Sequence, residues 1–153
     1  MQIQDKTTND NFIPFKAEHI NEMKVSAAGH PIFHYPEMLV AYELRGGSYS
    51  FYDNGKLYAV GGIFTVWEGL GEAWFILADD MDLPVKKVCS EVKKLFNELC
   101  PKYRRVQASV KVKDEKAVRF IEWLGLTQEC VMKFYGPEGD DYYLYARGEW
   151  QEQ

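Results

Sequence analysis

A joint between a strand and a helix, at residues 75–92, carries the residues most able to bind a ligand. Its sequence, FILADDMDLPVKKVCSEV, runs from an apolar strand into an amphipathic helix through a short polar segment. The first amides of a helix have no partner within it and favour anions, so such joints often hold phosphate groups. They usually contain glycines, which let the ligand approach the backbone. This joint instead carries aspartates at 79, 80 and 82, and Pro84. The pattern indicates either a phosphate site without glycine or a phosphate site that has been lost.

Two histidines, His30 and His34, have the spacing of a pair of zinc ligands on one face of a helix. A regular helix through both is not expected, because Pro31 and Pro36 interrupt the segment. The sequence offers no third ligand beside them. We therefore predict no metal site, and a loop position for both histidines.

The composition is that of a globular domain with its own core. The chain has 153 residues, of which 46% are hydrophobic and 15% aromatic, so we expect one domain over residues 1–153. A net charge of −5 gives no support for nucleic-acid binding. No apolar run approaches the roughly 20 residues of a membrane span, and the start, MQIQDKTTNDNF, lacks the pattern of a secretory signal. Three cysteines without a CxxC spacing predict neither disulfides nor zinc, and indicate a reducing cytosolic compartment.

Turn and cap residues predict the elements that must position the joint. The turn at 53–55 contains Asn-Gly and favours a hairpin, and the glycines at 61–62 indicate a bulge or a close approach of two backbones. The helix of the joint should run from about Asp82 to Leu99. A second helix should begin at the cap Asp114 and end at Gly125. The predicted order is β-α-α-β-β-β-α-β-α-β-β.

This order and two segments resemble the GNAT superfamily of acyl-CoA-dependent N-acyltransferases. GEAWFILA stands where that family has its central fourth strand, and DEKAVRFIEWLGL is similar to its second signature. Asp114 takes the place of the family's Asn, Ala117 that of its Ala, and 124–126 match the end of the signature. The resemblance implies an α/β (α+β) fold: a mixed, mostly antiparallel sheet with helices on both faces and splayed central strands 4 and 5.

The sequence is most similar, within that superfamily, to GNAT-like proteins of T7-like bacteriophages, of the internal virion protein A type. The similar segments are AAG, YAVGG, AWF, Val118-Arg119-Phe120 and the stretch from Gly139 to Tyr145, in that order. This resemblance implies a protein of the host cytoplasm or the virion that contacts phage or host proteins and could form a homo-oligomer. The tyrosines in DDYYLYAR could serve such an interface, or could cover the last strands.

The GNAT resemblance also implies where acetyl-CoA would lie. Its pantetheine arm would pair with the backbone of the fourth strand, and its pyrophosphate would rest at the start of the next helix. The residues implied at this cofactor site are Phe75, Ile76, Leu77, Ala78, Lys86, Lys87 and Asp114.

Catalytic roles follow from the same resemblance. Glu72 begins the fourth strand, where some GNAT enzymes place the glutamate that deprotonates the amine. His34 and Tyr35 fall in the region that lines the acceptor side. Many GNAT enzymes protonate the leaving thiolate with a tyrosine of the last helix, but Ile121 stands there. Tyr135 or Tyr143 could substitute for it.

Two functions therefore remain open at the level of sequence. The family's Gln/Arg-x-x-Gly-x-Gly loop should fall at about residues 82–88, and neither glycine is present. Side chains there would crowd the phosphates, so binding of acetyl-CoA should be weak or lost. This favours a non-catalytic phage protein that acts in virion assembly or protein interaction. The alternative is an acetyl-CoA-dependent N-acetyltransferase acting on a protein or small-molecule amine.

Overall fold

The computed structural model describes residues 11–24, 35–79 and 83–152, and contains a sheet of seven strands in the order β1-β2-β3-β4-β5-β7-β6. Neighbouring strands are antiparallel except β4 and β5, which are parallel. The strands are β1 (Phe12–Pro14), β2 (Ser48–Asp53), β3 (Lys56–Trp67), β4 (Leu70–Leu77), β5 (Arg105–Lys111), β6 (Thr127–Met132) and β7 (Tyr142–Gly148).

In the described ranges, three α-helices and three short 3₁₀ segments join or follow the strands. The α-helices are α1 (Pro36–Arg45), α2 (Val85–Leu99) and α3 (Glu115–Trp123), and the 3₁₀ segments are Ala17–Glu22, Cys100–Lys102 and Glu149–Glu152. The predicted order of elements is confirmed, except that the first predicted helix is a 3₁₀ turn within the described part of the chain. No helix there has the length and apolar character to cross a membrane.

Local sequence signals account for the main element boundaries. Asn54 and Gly55 both have positive φ, of 51° and 78°, which is the backbone of the tight hairpin turn that Asn-Gly favours. The Asp114 carboxylate caps α3 by accepting a hydrogen bond from the amide of Ala117, at 3.1 Å. Gly125 follows that helix with a φ of 93°. All three predicted signals are confirmed.

The start of α2 differs from the prediction. Pro84 has extended backbone, with φ −57° and ψ 132°, and the helix begins at the following residue, Val85, rather than near Asp82. Proline suits the position at the start of a helix, because the N–H that it lacks would have no partner inside the helix. Asp80 lies outside the described residues, and so does Asp82, the predicted cap of this helix.

Helices cover both faces of the sheet, as the fold class requires. On one face, Trp74 and Ile76 of β4 pack against Leu39 and Tyr42 of α1. On the other face, the inward residues of β5 pack against α2 and α3 in a second cluster; these are Val106, Ala108 and Val110 with Phe96, Leu99, Ile121 and Leu124. Successive residues of a strand point to opposite faces. The members of these two clusters therefore fix the face to which each remaining side chain of β4 and β5 points.

The parallel strands β4 and β5 stay together over only part of their length. They pair at Leu70 with Arg105, at Gly71 with Val106, and at Glu72 with Gln107. Beyond Glu72, β4 continues to Leu77 and pairs with β3 alone among the described strands. The two strands therefore separate after Glu72, and this splay opens the interior of the sheet.

The adjacent glycines of β3 mark a close approach of backbones, not a bulge. A Cβ on Gly61 would collide with the carbonyl oxygen of Trp74, and one on Gly62 with that of Gly47. The register irregularities of β3 lie elsewhere, opposite 51–52 and at 65–67. Glycine is therefore required at both positions for the central strands to pair.

Candidate active site

A cavity of about 1050 Å³ occupies the space that the separating strands leave. Its walls come from β3, β4, α1 and α2 on one side and from β5, α3 and the segment before β7 on the other. The phenyl rings of Phe75 in β4 and Phe120 in α3 stack at 4.5 Å between centroids, and so connect the two sides. The splay of the central strands therefore opens a large, mainly apolar pocket, which is lined by a few polar side chains.

Glu72 lies at the point where the two strands part, and its side chain lines the cavity. Its Oε1 accepts a hydrogen bond from Nε2 of Gln107, at 3.1 Å. Burial raises the pKa of the Glu72 carboxyl, while the Gln107 hydrogen bond and the charge of Arg105 lower it, and the net pKa is above the ordinary glutamate value. A carboxylate with a raised pKa is a stronger base, as a general base near neutral pH requires.

The bond from Gln107 to Glu72 is the inner end of a polar chain. Arg105 Nε donates to Gln107 Oε1 at 2.9 Å, and its terminal nitrogens donate to both oxygens of Glu129 at 2.6 and 3.0 Å. Such a bidentate pair fixes the orientation of the guanidinium. Since Arg105 holds the amide oxygen of Gln107, the amide nitrogen is directed at Glu72.

Aromatic rings form the wall of the cavity on the side of α1. The Tyr42 ring lies 4.7 Å from that of Phe64 and 4.6 Å from that of Trp74, whose indole N–H donates to Ser48 Oγ at 2.8 Å. Burial, and then the charge of Glu72, raise the pKa of Tyr42 to about 12. The base candidate therefore lies near a wall of aromatic rings and a tyrosine that keeps its proton.

The predicted cofactor residues of β4 lie at the cavity, with one exception. Phe75, Ile76 and Leu77 line it. Ala78 is buried just beyond the end of the strand, and its amide already donates to the carbonyl of Tyr58 at 2.9 Å. The part of β4 open to a ligand is thus Ala73–Leu77.

The predicted lysines of α2 do not line this cavity. Lys86 and Lys87 are exposed on the first turn of the helix, and the amide of Lys87 bonds the Pro84 carbonyl at 3.0 Å. The cavity instead has Lys113 and Lys116 in its wall, one on each side of Asp114. The sequence interpretation missed both. The signal was available, because they flank the cap of the helix that follows β5.

The remaining predicted residues divide between the site and the undescribed part of the chain. Asp114 lines the cavity while it caps α3, and Tyr35 lines it from the start of α1. His34 lies outside the described residues, as does His30. Within the described ranges, no group of three or more His, Cys, Asp or Glu side chains could hold a metal ion.

The tyrosines near the last hairpin occupy different faces of the sheet. Ile121, at the place of the family's tyrosine, is buried in the core beneath β5. Tyr143 packs against the same core and is not in the cavity wall, whereas Tyr135 is. Tyr142, which the sequence interpretation did not single out as a proton donor, also lines the cavity.

Comparison with known proteins shows the fold. No protein-family model matches the chain, and no curated protein matches its sequence. Among solved structures, Ard1 from Thermoplasma volcanium matches with a TM-score of 0.75 and 14% identity, over 90% of this chain and 95% of that one. The chain has the GNAT fold.

Other structures with the GNAT fold match over similar lengths. The microcin C7 self-immunity acetyltransferase MccE, in complex with acetyl-CoA and AMP, has a TM-score of 0.66 and 13% identity, over 92% of this chain and 94% of that one. The ribosomal-protein-S18-alanine N-acetyltransferase of Escherichia coli has a TM-score of 0.61 and 13% identity, over 90% and 92%. At these identities the GNAT fold is shared, and the chemistry has to be argued from the site.

Proposed function

We propose that the protein is an N-acetyltransferase that transfers the acetyl group of acetyl-CoA to an amine of a protein or a small molecule. The observation that carries this proposal is Glu72. It is a half-buried carboxyl with a raised pKa, held by Gln107 at the point where β4 and β5 part. A carboxyl kept in an apolar cavity opposes folding when it ionises, so a role in proton transfer explains its presence better than stability does.

The residues around the cavity suit the parts of acetyl-CoA. The edge of β4 from Ala73 to Leu77 faces no strand of the described sheet on the side of β5, so its free amide and carbonyl groups can pair with an extended pantetheine arm. Lys113 and Lys116 could pair with the phosphates at the wide end of the splay. When bound, acetyl-CoA supplies an acetyl group activated as a thioester.

Each residue then has a physical task. The Glu72 carboxylate accepts a proton from the amine, directly or through one water, as the nitrogen attacks. The Arg105–Gln107 chain keeps that carboxylate in place, which lowers the cost of orienting it in each turnover. The aromatic wall of Tyr42 and Trp74 excludes water from the reacting groups.

Solved structures of the same fold support this class of reaction. MccE was crystallised with acetyl-CoA, and the Escherichia coli protein is named as an acetyltransferase of an alanine of ribosomal protein S18. They support acetyl-CoA as donor and an amine as acceptor.

Calorimetric titration with acetyl-CoA tests the proposal first. We expect binding tighter than roughly 100 µM, a free energy of about −5.5 kcal/mol. The Glu72→Gln variant should bind acetyl-CoA with the same affinity and lose turnover of an amine panel. No heat and no thermal shift at millimolar cofactor would end the proposal.

A second candidate keeps the fold without turnover, as a phage protein of the host cytoplasm or virion that acts in assembly by contacting phage or host proteins. Two observations favour the absence of turnover, whereas the phage and assembly role rests on the resemblance of the sequence alone. The first turn of α2 exposes the side chains of Val85, Lys86 and Lys87 where the family has glycines, and Ile121 puts no proton donor at the family's tyrosine position of α3. The same titration separates the candidates, because only the enzyme needs to bind acetyl-CoA.

A further inference from the structure

We propose that the acceptor is an amine at the end of an uncharged, apolar stem, which lies along the cavity side of α1 while its ammonium group pairs with Glu72. This inference rests on the proposed acetyltransferase function and names the class of amine that the site takes. A free alkylamine has this chemistry, and so does the side chain of a lysine in a peptide. Polyamines and amino acids, which carry a second charge, should be poor acceptors.

Glu72 offers one negative charge to a ligand in the cavity. It lies opposite Phe64 in the β3–β4 pair and opposite Gln107 in the β4–β5 pair, so a phenyl ring and an amide flank it within the sheet. The nearby Arg105 is occupied, since it donates to Gln107 and to both oxygens of Glu129. In the described part of the chain, Glu72 forms no ion pair. An ammonium group from outside can therefore pair with its carboxylate.

Three uncharged side chains lead from Glu72 towards solvent along α1. Tyr42, Met38 and Tyr35 all line the cavity, and their spacing of four and three residues places them on one side of the helix and its start. Their exposed fractions rise from 9% at Tyr42 to 40% at Met38 and 42% at Tyr35. Successive helical turns are about 5.4 Å apart, so a short alkyl stem that starts at Glu72 can pass Tyr42 and reach Met38.

An aromatic side chain faces this stripe from the other side of the cavity. Tyr135, between β6 and β7, lines the cavity and is 55% exposed. Burial, then the charges of Glu72 and Tyr135, raise the pKa of Tyr42 to about 12, so the two tyrosines lie near each other. A stem between them would be in contact with apolar surface on both sides. Each CH₂ group buried there should strengthen binding about fourfold.

The other charged side chains of the cavity wall are paired or lie past the ends of the strands. Lys111 points to the face of Glu72, but it is four residues beyond Gln107, about 13 Å along the strand, and it pairs with Asp140 at 3.1 Å. The remaining charged residues of the described wall follow β4 or β5, at 79, 113, 114 and 116. A second charge on a short stem would therefore lose its hydration against an apolar wall, which weakens binding.

The acceptor enters as an ammonium ion, so it must lose two protons in the reaction. The Glu72 carboxylate takes the first through water and releases it to solvent. It takes the second as the nitrogen forms a bond to the acetyl carbon and the carbon–sulfur bond breaks with its electron pair on sulfur. The products are the amide, the CoA thiolate and two protons.

Three amines with the same five-carbon stem test the class. Pentylamine ends in a methyl group, cadaverine in a second ammonium and δ-aminovalerate in a carboxylate. With acetyl-CoA as donor, we expect kcat/KM for pentylamine to exceed that for either charged analogue about tenfold or more. If cadaverine or δ-aminovalerate is acetylated as well as pentylamine, the inference is wrong.

A peptide analogue identifies the source of the amine within this class. Nα-acetyl-lysine methylamide carries the same ammonium group and an apolar stem on a peptide backbone. A higher kcat/KM for this compound than for pentylamine would identify a lysine of a protein as the acceptor. A lower value would identify a free alkylamine. Both results support the class, and acetylation of neither compound would contradict it.

A charge placed on the stripe should change the preference in a defined direction. Met38→Glu should raise the ratio of kcat/KM for cadaverine to that for pentylamine about fivefold, the attraction of two unit charges about 4 Å apart in water. Leu44→Glu is the matched control, because Leu44 is an 80% exposed residue of the same helix that does not line the described cavity. An unchanged ratio in Met38→Glu, or an equal rise in Leu44→Glu, would contradict the position of the stem.

Binding measured without acetyl-CoA tests the pairing at Glu72. In ligand-observed NMR, Glu72→Gln should weaken the binding of pentylamine about tenfold or more, since a hydrogen bond between charged groups is lost. Binding of pentanol, which has the same stem and no charge, should not change. Equal losses for the two ligands, or no loss for pentylamine, would overturn the assignment of the ammonium group to Glu72.

These outcomes separate the inference from the function on which it rests. If acetyl-CoA binds and amines are acetylated without preference for an uncharged stem, only the acceptor class is wrong. If acetyl-CoA does not bind, the acetyltransferase proposal fails and the acceptor class fails with it.

Discussion

Replacing Glu72 by glutamine tests the proposed base while it preserves the shape of the site. The amide oxygen of the variant can still accept the 3.1 Å hydrogen bond from Gln107, so the side chain should stay in position. A general base contributes about 10²–10⁴-fold, or about 2.7–5.4 kcal/mol at 1.36 kcal/mol per decade. We expect a loss of kcat near the lower end, about 10²–10³-fold, because water can still accept the proton.

The same variant should change stability in the opposite direction. Burial raises the pKa of Glu72 in the folded protein. Stability is therefore fullest below the ordinary glutamate pKa and falls as pH rises through the folded pKa, since ionisation then opposes folding. Glu72→Gln removes that cost, so its melting temperature should be higher than that of the unaltered protein at pH 7 and equal to it at pH 4.

The assay is kcat against pH from 5 to 9, with thermal melts on the same samples. The unaltered protein should gain activity as pH rises through a Glu72 pKa above 4.5. Gln107→Leu removes the hydrogen bond that lowers that pKa, so its activity should rise at a higher pH. Glu68→Gln is the matched control, because Glu68 is exposed in the β3–β4 turn. If Glu72→Gln keeps more than half of kcat, the base assignment is wrong.

Three further predictions concern the scaffold and the cofactor end of the cavity. Asp114→Ala removes the cap of α3, and urea denaturation should show a loss of about 0.5–2 kcal/mol. Gly62→Ala should lower the free energy of unfolding by about 1–3 kcal/mol or more, because its Cβ would overpack against backbone. This loss should exceed that of Gly46→Ala, where a Cβ meets nothing within 4 Å and only the φ of 75° is unfavourable. Lys113→Glu should weaken acetyl-CoA binding by about 1–2 kcal/mol at low salt, more than Lys86→Glu does, because only Lys113 lines the cavity. Equal losses of affinity for the two lysine variants in calorimetry would contradict phosphate binding at Lys113 and would favour the start of α2 as the phosphate site.

Sequence reasoning succeeded where a few neighbouring residues control the backbone. The Asn54-Gly55 turn and the Asp114 cap depend on residues close in the chain, so their geometry could be predicted locally. The GNAT-like order of elements gave the fold class and the splay of strands 4 and 5. It also directed attention to Glu72, whose role stays a prediction.

The same reasoning could not arrange the candidate site, because its contacts join distant parts of the chain. Gln107 follows Glu72 by 35 residues, and only the parallel pairing of β4 with β5 brings them together. The glycine-free start of α2 argued against a cofactor, yet Lys113 and Lys116, which line the cavity, lie after β5. Their position depends on how α3 packs, which no local pattern specifies.

What the sequence alone determined is the set of local backbone preferences: the hairpin turn, the helix caps, and the alternation that sends Tyr142 and Tyr143 to opposite faces of β7. What only the tertiary structure decided is which of those faces carries Glu72. That choice depends on the register of β7 against β5, and a shift by one residue would exchange the two tyrosines. Register is fixed by the packing of the whole sheet against its helices, so the face on which each of these tyrosines lies becomes visible only in three dimensions.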